Sequence, residues 1–508
     1  MLRDVTALTS DPARPVIEDA VIGIRDRRLA LLASAAEAPR DAIATRTLEL
    51  PGRVVTPGFV NVHTHAILTM CRGMAEDMGF APAYTPGVPK GSDVRPDEAR
   101  ALARLGALEA LLFGSTLIND TYVHADVTVD AMAEIGGRVV TCGRIHDVDF
   151  TKVADGRWEH DAKIGDETLE AALALAERWQ GKADGRIGVQ LSPHAPDTCS
   201  DALLRRVADA SRRRGLRVNT HLAQSRVEVE RVKARSGRHP AELLDDTGLL
   251  DDRLIAAHCI FLDDANLARV GRAGVTVAHV PKGNATGGMI AATPRLRRAG
   301  ARLALGTDNM HADMIEVMRW ALAIARVQEG RVTGDWQPET VLAMATREGA
   351  AAMGRGDDLG SLAVGKKADL VVVDFRRPHL TPCTSALGNL VHVAQGRDVE
   401  VVIVDGRVVV EGAERSWWMR SRSGARRQPP HARCGRGRAR ASRGARGRTA
   451  PERRSPTPAP GTSRAGPARG CGWQEWRWSR RRVGRGRMHR PACRLPIRYR
   501  RAGGRPAR

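Results

Sequence analysis

Short apolar runs alternate with longer amphipathic stretches through the middle of the chain. Eight runs, at 58–65, 115–122, 138–145, 187–194, 217–222, 254–260, 275–280 and 302–308, are rich in Val, Ile, Leu or Ala. That is the pattern of strands buried on both faces. Between them, the stretches 96–113, 167–179, 200–213 and 314–327 space their apolar residues along one helical face. Pro96 followed by Asp97 and Glu98 marks a helix start, and Gly114 and Gly215 mark helix stops. Eight strand-then-helix units predict an α/β fold, a (β/α)8 TIM barrel over residues 57–357.

Composition changes this picture at one place. The chain has 508 residues, 42% of them hydrophobic and 27% charged, which excludes a disordered chain, a collagen-like chain and a small disulfide scaffold. Its net charge of +22 would suggest a nucleic-acid partner, but residues 415–508 hold 29 Arg against Glu452 and Glu475 alone. That tail therefore carries +27 and leaves the first 414 residues at −5. It lacks Asp, Lys, Asn and Phe and has no period of 3.6 or 2, so it is expected to be disordered. Arg, Gly, Ala and Pro are also what GC-rich codons give in a wrong reading frame, and the tail reads first as such an artefact. The functional alternatives are a nucleic-acid arm or an RG-rich interaction segment. No apolar run approaches the roughly 18–20 residues of a membrane span, and no signal core follows Arg3. The eight cysteines form no CxxC pair, which fits a reducing cytoplasm.

The candidate chemistry sits at the C-terminal ends of the predicted strands, the face on which barrels build their sites. There stand His63, His65, Asp120, His146, His194, His221, His258, His279 and Asp308. Seven of the 13 histidines in the first 414 residues close a strand, and core packing explains so many polar groups poorly. His63 and His65 are two apart, so both rings face one side of their strand. With His221 on the fifth run and Asp308 on the eighth, they offer three nitrogens and a carboxylate to one divalent ion. Such a set with an open position is the pattern of a hydrolytic metal site. Zinc fits first and iron(II) second; magnesium would ask for more oxygens.

The ordered motifs PGFVNVHTH at 57–65, RGMAED at 72–77, THLAQ at 220–224, AHC at 257–259, AHVPKGN at 278–284, LGTDN at 305–309 and GSLAVGKKADLVVVD at 360–374 carry a resemblance. The chain resembles the metal-dependent amidohydrolase superfamily, and most of all the branch holding S-adenosylhomocysteine/methylthioadenosine deaminases, cytosine and guanine deaminases and triazine hydrolases. The resemblance runs to about Glu411. It implies a small β-sandwich built from both flanks, 1–56 and 358–414, where alternating stretches such as VIGIRDRRLALL and VVIVDGRVVV agree. It implies that His63, His65, His221 and Asp308 hold one metal, that His258 orients the attacking water, and that His194 and His279 face the substrate. The ion would make water nucleophilic near neutral pH, Asp308 would take its proton, and His258 would stabilise the developing oxyanion. The expected activity is mononuclear, metal-dependent hydrolysis of a C–N bond in a small nitrogen heterocycle, by deamination or by cyclic-amide hydrolysis. The rivals are a nucleic-acid binder acting through the tail and a decayed deaminase that only binds ligand. Neither membrane nor nucleic acid is an expected partner, and a homo-oligomer stays open.

Two departures from that branch stand out. Its deaminases carry Glu three residues after the fifth-strand His, where this chain has Gln224. An amide orients a substrate but does not shuttle a proton, which turns attention to Glu228 and Glu76 as substitute acids and favours chemistry without ring protonation. The second departure is the loop MGFAPAYTPGVPKG at 78–91, which reads as a substrate lid. Phe80 and Tyr84 in it are open either to stacking on a flat ring or to packing. His124 and His311, just past strand ends, are expected to lie beyond direct substrate contact.

Overall fold

The computed structural model describes residues 1–75, 77, 84–309 and 311–412. Glu76, Phe80 and the tail at 415–508 lie outside them, as do the expectations placed on them. Sixteen strands order the described chain. β1 (Leu2–Leu8), β2 (Val16–Arg25), β3 (Arg28–Ser34) and β4 (Leu48–Pro57) come first. β5 (Phe59–Thr64), β6 (Ser115–Tyr122), β7 (Arg138–Ile145), β8 (Ile187–Val189), β9 (Ser192–Pro193), β10 (Val218–Leu222), β11 (Leu254–His258), β12 (Thr276–His279) and β13 (Arg302–Leu305) fill the middle. β14 (Leu370–Asp374), β15 (Val399–Val404) and β16 (Arg407–Glu411) close the described part.

The middle strands form two parallel runs, β5-β6-β7-β8 with β9 beside β7, and β10-β11-β12-β13. Every residue of β5, β6, β10 and β11 is buried, polar ones included, as strands covered on both faces require. The two runs meet at both edges. At one, Leu191 bridges to Val218 in parallel; at the other, Thr64 bridges to Asp308. The first meeting explains why the predicted strand 187–194 is split. At Leu191 the chain stops pairing with β7 and gives its N–H to Arg217 O at 3.0 Å. The second needs Gly306: a Cβ there would lie 2.9 Å from His63 O and 3.0 Å from His63 Cβ. The glycine lets the chain beyond β13 press against β5, ending the regular strand at Leu305 and setting Asp308 beside His63.

Helices follow the strands with the caps the sequence implies. Pro96 opens Pro96–Leu112 at its first position with Asp97 and Glu98 behind it. Ser200 accepts from Leu203 N–H to start Asp201–Arg214, and Gly215 ends it at φ 64°. The helix predicted from 167 begins earlier, as Ala162–Trp179, because Asp161 accepts from Lys163 N–H. Among the described residues no helix is long and apolar enough to cross a membrane.

Both flanks join in one seven-stranded sheet, ordered β16-β15-β14-β4-β1-β2-β3. Where a two-layered sandwich was expected, a single sheet rolls back on itself. At its far edge Leu29 N–H donates to Lys366 O and Ala368 N–H to Arg27 O, both at 2.9 Å. The roll encloses a separate core that includes Leu2, Ile22, Leu29, Val55, Val372 and Ile403. Buried Arg138, at the N-terminal end of β7, ties this sheet to the parallel strands. Its Nε and Nη2 donate to Asp369 at 2.7 and 2.9 Å, and Nη2 also to Asp405 at 3.0 Å.

Candidate metal centre

His63 lies on β5 and His65 directly follows it, while His221 stands near the end of β10, His258 ends β11, and Asp308 follows β13. The ligand atoms of His63, His65 and His221 lie within 4.8 Å of one another, as do those of His63, His258 and Asp308. Asp308 Oδ1 is 3.3 Å from His65 Nε2 and 3.8 Å from His63 Nε2. Thus the four residues expected as ligands are brought together.

The hydrogen bonds behind them fix which nitrogens face the centre. His65 Nδ1–H donates to Thr121 O at 2.5 Å, and His221 Nδ1–H to His194 O at 2.7 Å. A carbonyl only accepts, so each Nε2 is left with a lone pair. Those two Nε2 atoms are 3.4 Å apart. Two lone pairs and a carboxylate at such spacing repel unless a cation lies among them. Both ring nitrogens of wholly buried His63 have no hydrogen-bond partner, an expensive arrangement if nothing else fills the role. The donor set therefore fits a divalent ion of the zinc or iron(II) type.

Electrostatics agree. Burial first, then neighbouring histidines, hold His63 and His221 well below the usual histidine range, and burial does the same to His194. His258 is lowered as well, also chiefly by burial. These imidazoles are neutral and available as donors of electron pairs. His258 at φ 75° and Asp308 at φ 64° are both in the left-handed region, a conformation a bulky residue adopts only when its surroundings impose it.

A cavity of about 780 Å³ opens over this centre, with His65, His194, His221, Gln224, His258 and Asp308 in its wall. His258 is oriented by Nδ1–H donating to Asn284 Oδ1 at 3.0 Å, and His194 Nδ1 lies 2.8 Å from Thr198 Oγ1. Gln224 is buried and its Nε2 has no partner. Two further wall residues were not singled out in the sequence: Tyr122, and Arg144, whose guanidinium lies 4.5 Å from the Tyr122 ring centre and 4.7 Å from that of Phe150. Arg144 stands within the third predicted strand, where an arginine amid apolar residues was the available signal.

Other expectations resolve differently. His279 is wholly buried at the end of β12 and does not reach the cavity wall. His146 turns Nδ1 to Val148 O at 2.9 Å, and Asp120 accepts the Ala66 N–H at 2.7 Å. Neither lines the cavity, nor does His124, whereas His311 does. Tyr84 lies over Trp158 at 5.7 Å and over His194 at 6.2 Å between ring centres, so its ring packs against protein. Glu228 does not reach the cavity as a substitute acid; its carboxylate accepts the N–H groups of Ala223 and Gln224.

A parallel α/β scaffold gathers buried histidines and one aspartate at its strand ends under a cavity, a donor set that could hold a metal ion. The chain belongs to the amidohydrolase family, whose sequence pattern matches residues 54–409, and it is an enzyme acting on carbon–nitrogen bonds. It is 35% identical over 413 residues to the 5-methylthioadenosine/S-adenosylhomocysteine deaminase of Moorella thermoacetica, covering 79% of this chain and 92% of that protein. It is 31% identical to the 5′-deoxyadenosine deaminase of Methanosarcina acetivorans over 81% of this chain and 92% of that one. Among solved structures, an adenosine deaminase from Xanthomonas campestris with bound zinc superposes with a TM-score of 0.71 at 28% identity, covering 81% of this chain and 94% of the other.

Proposed function

We propose that the chain is a mononuclear metal-dependent deaminase of an amino-substituted purine nucleoside, with its centre at the mouth of a closed (β/α)8 barrel spanning residues 57–357. The observation that carries this reading is His63, wholly buried with two unpartnered ring nitrogens, set among His65, His221 and Asp308. Deaminases of adenine nucleosides to which it is similar supply the substrate class.

His63, His65, His221 and Asp308 would hold the ion, which when bound supplies a Lewis acid that makes water nucleophilic near neutral pH. Asp308 accepts the proton that the attacking water gives up and passes it to the departing amine. Water adds to the ring carbon, the C–N bond breaks and ammonia leaves, and the hydroxyl left on the ring gives its proton to the adjacent ring nitrogen to become the carbonyl. His258 has its Nδ1–H engaged by Asn284, so its Nε2 is free to accept from the water and orient it. Gln224 donates its Nε2–H to a ring nitrogen or oxygen and fixes the substrate in the plane for attack, without delivering a proton. His194 closes the wall on the same side.

A second reading has its own observation. Gln224 stands where a proton carrier would be wanted for ring protonation, and its amide has none to give. Hydrolysis of a cyclic amide, whose carbonyl already accepts, suits that residue. One assay separates the two. Metal-loaded protein is offered 5′-methylthioadenosine, S-adenosylhomocysteine and 5′-deoxyadenosine beside hydantoin-type cyclic amides, with ammonia release and ring opening followed separately. Ammonia from the nucleosides supports deamination. Ring opening alone supports the second reading, and neither product sinks both.

A further inference from the structure

Glu228 serves the backbone and not the cavity. It is wholly buried in the helix Arg226–Ser236, away from the cavity wall. Its Oε1 accepts Ala223 N–H at 2.7 Å and its Oε2 accepts Gln224 N–H at 2.8 Å. In an ordinary capping box the acid at the third helical position reaches the cap residue's own N–H. Here Ser225 caps the helix, taking Glu228 N–H on its Oγ at 3.0 Å, but the carboxylate passes Ser225 and grips the two residues before it. Those residues include Ala223, held at φ 48°, a left-handed conformation an alanine does not hold unaided.

The same peptide is gripped from its other side. Ala223 O accepts Ile260 N–H at 3.1 Å and Phe261 N–H at 2.9 Å, and Leu222 O accepts Cys259 N–H at 2.9 Å. The segment that begins with His258 thus holds the carbonyls, and Glu228 holds the amides. Burial raises the pKa of both Glu228 and Asp197, and the nearby Asp197 carboxyl raises that of Glu228 further.

We propose that Glu228 is a positioning residue that locks the Ala223–Gln224 peptide in its left-handed turn and so aims the Gln224 amide at the substrate. The proposal rests on the reading of Gln224 as a substrate contact, and it deepens that reading by naming what sets the contact's direction.

A double-mutant cycle with Glu228→Gln, Gln224→Ala and the pair tests it. Glu228→Gln keeps one accepting oxygen and turns an NH2 toward the other backbone N–H. Its kcat/KM should fall roughly 10- to 100-fold, the scale of a catalytic contact displaced by about an ångström, with metal content unchanged. In the Gln224→Ala background the same substitution should cost nothing further. Equal losses in both backgrounds, or no loss in either, would overturn the proposal. Should Glu228→Gln not fold, Glu228→Asp keeps the charge, is too short for both amides, and must show the same non-additivity. Amide-resolved hydrogen exchange gives a readout that needs no substrate. Protection of the Gln224 N–H should drop in the variant, and unchanged protection overturns the lock even if no nucleoside is turned over. Failure of the deaminase reading shows instead as an inactive wild type with the exchange effect intact.

Discussion

The two ends of the parallel strands treat buried polar groups in opposite ways. At the N-terminal end, Arg138 is 1% exposed and meets two acids: Asp369 takes two of its N–H bonds and Asp405 one, while Asp405 N–H closes the ring on Asp369. At the C-terminal end, His63 is just as buried, yet neither ring nitrogen has a partner, and two neighbouring Nε2 atoms face each other at 3.4 Å. The degree of burial is comparable at the two ends; what differs is whether partners meet it. The protein satisfies Arg138 by itself and leaves the His63 ring unpartnered. His279 has two unpartnered ring nitrogens as well; what sets His63 apart is that other ligand atoms lie within 4.8 Å of its own, and the contrast can be broken from either side.

The largest expected effect comes from the unsatisfied end. His63→Ala should remove the ion, leave well under one metal per chain by elemental analysis, and lower turnover by about a thousandfold or more. Two metals per chain in fully active wild type would refute the mononuclear reading. From the satisfied end, Arg138→Met should leave Asp369 and Asp405 buried without their counter-ion and destabilise the fold by about 3–5 kcal/mol. Urea unfolding measures this, and kcat/KM of the folded fraction should hardly change. If activity is lost at constant stability, the two ends are coupled and the contrast fails.

The same network has a pH signature. Burial opposes the charge on Asp405, but the Arg138 hydrogen bond and the charges of Arg138, Lys367 and Arg27 prevail and hold its pKa below the usual carboxylate range. A depressed folded pKa contributes stability that is fully present above the unfolded value of about 3.9 and is lost as pH falls through the folded one. Melting midpoints should accordingly fall below about pH 4, and by less in Arg138→Met. An equal acid loss in the variant would assign the effect to other carboxyls. A smaller change is expected at the cavity wall: Gln224→Ala should lose about 1–3 kcal/mol of transition-state stabilisation, read as kcat/KM. Gln224→Glu should lower turnover on the native substrate; a much faster variant would mean a decayed deaminase. The smallest effect is for ending the chain after Glu414. The rolled sheet is complete at β16, which ends at Glu411, so melting midpoint and turnover should match the full chain. A drop of several degrees would show that the tail packs on the fold.

Periodicity and residue type carried a large part of this protein. The parallel strands, the capped helices and the candidate ligands His63, His65, His221 and Asp308 could all be read locally, because strand burial leaves short runs rich in apolar residues and strand ends carry the chemistry. What the sequence could not show depends on partners distant along the chain. The protons on His65 and His221 are placed by the carbonyls of Thr121 and His194, and a backbone oxygen leaves no trace in residue identity. His279, a strand-end histidine like the others, is wholly buried and off the wall. Glu228, with the spacing of a spare acid, is turned to the backbone by a left-handed turn at Ala223 that nothing in the residue itself foretells. Sequence determined which groups stand at the strand ends. Only the tertiary structure decided which stay unsatisfied there, because that depends on every neighbour a buried group meets.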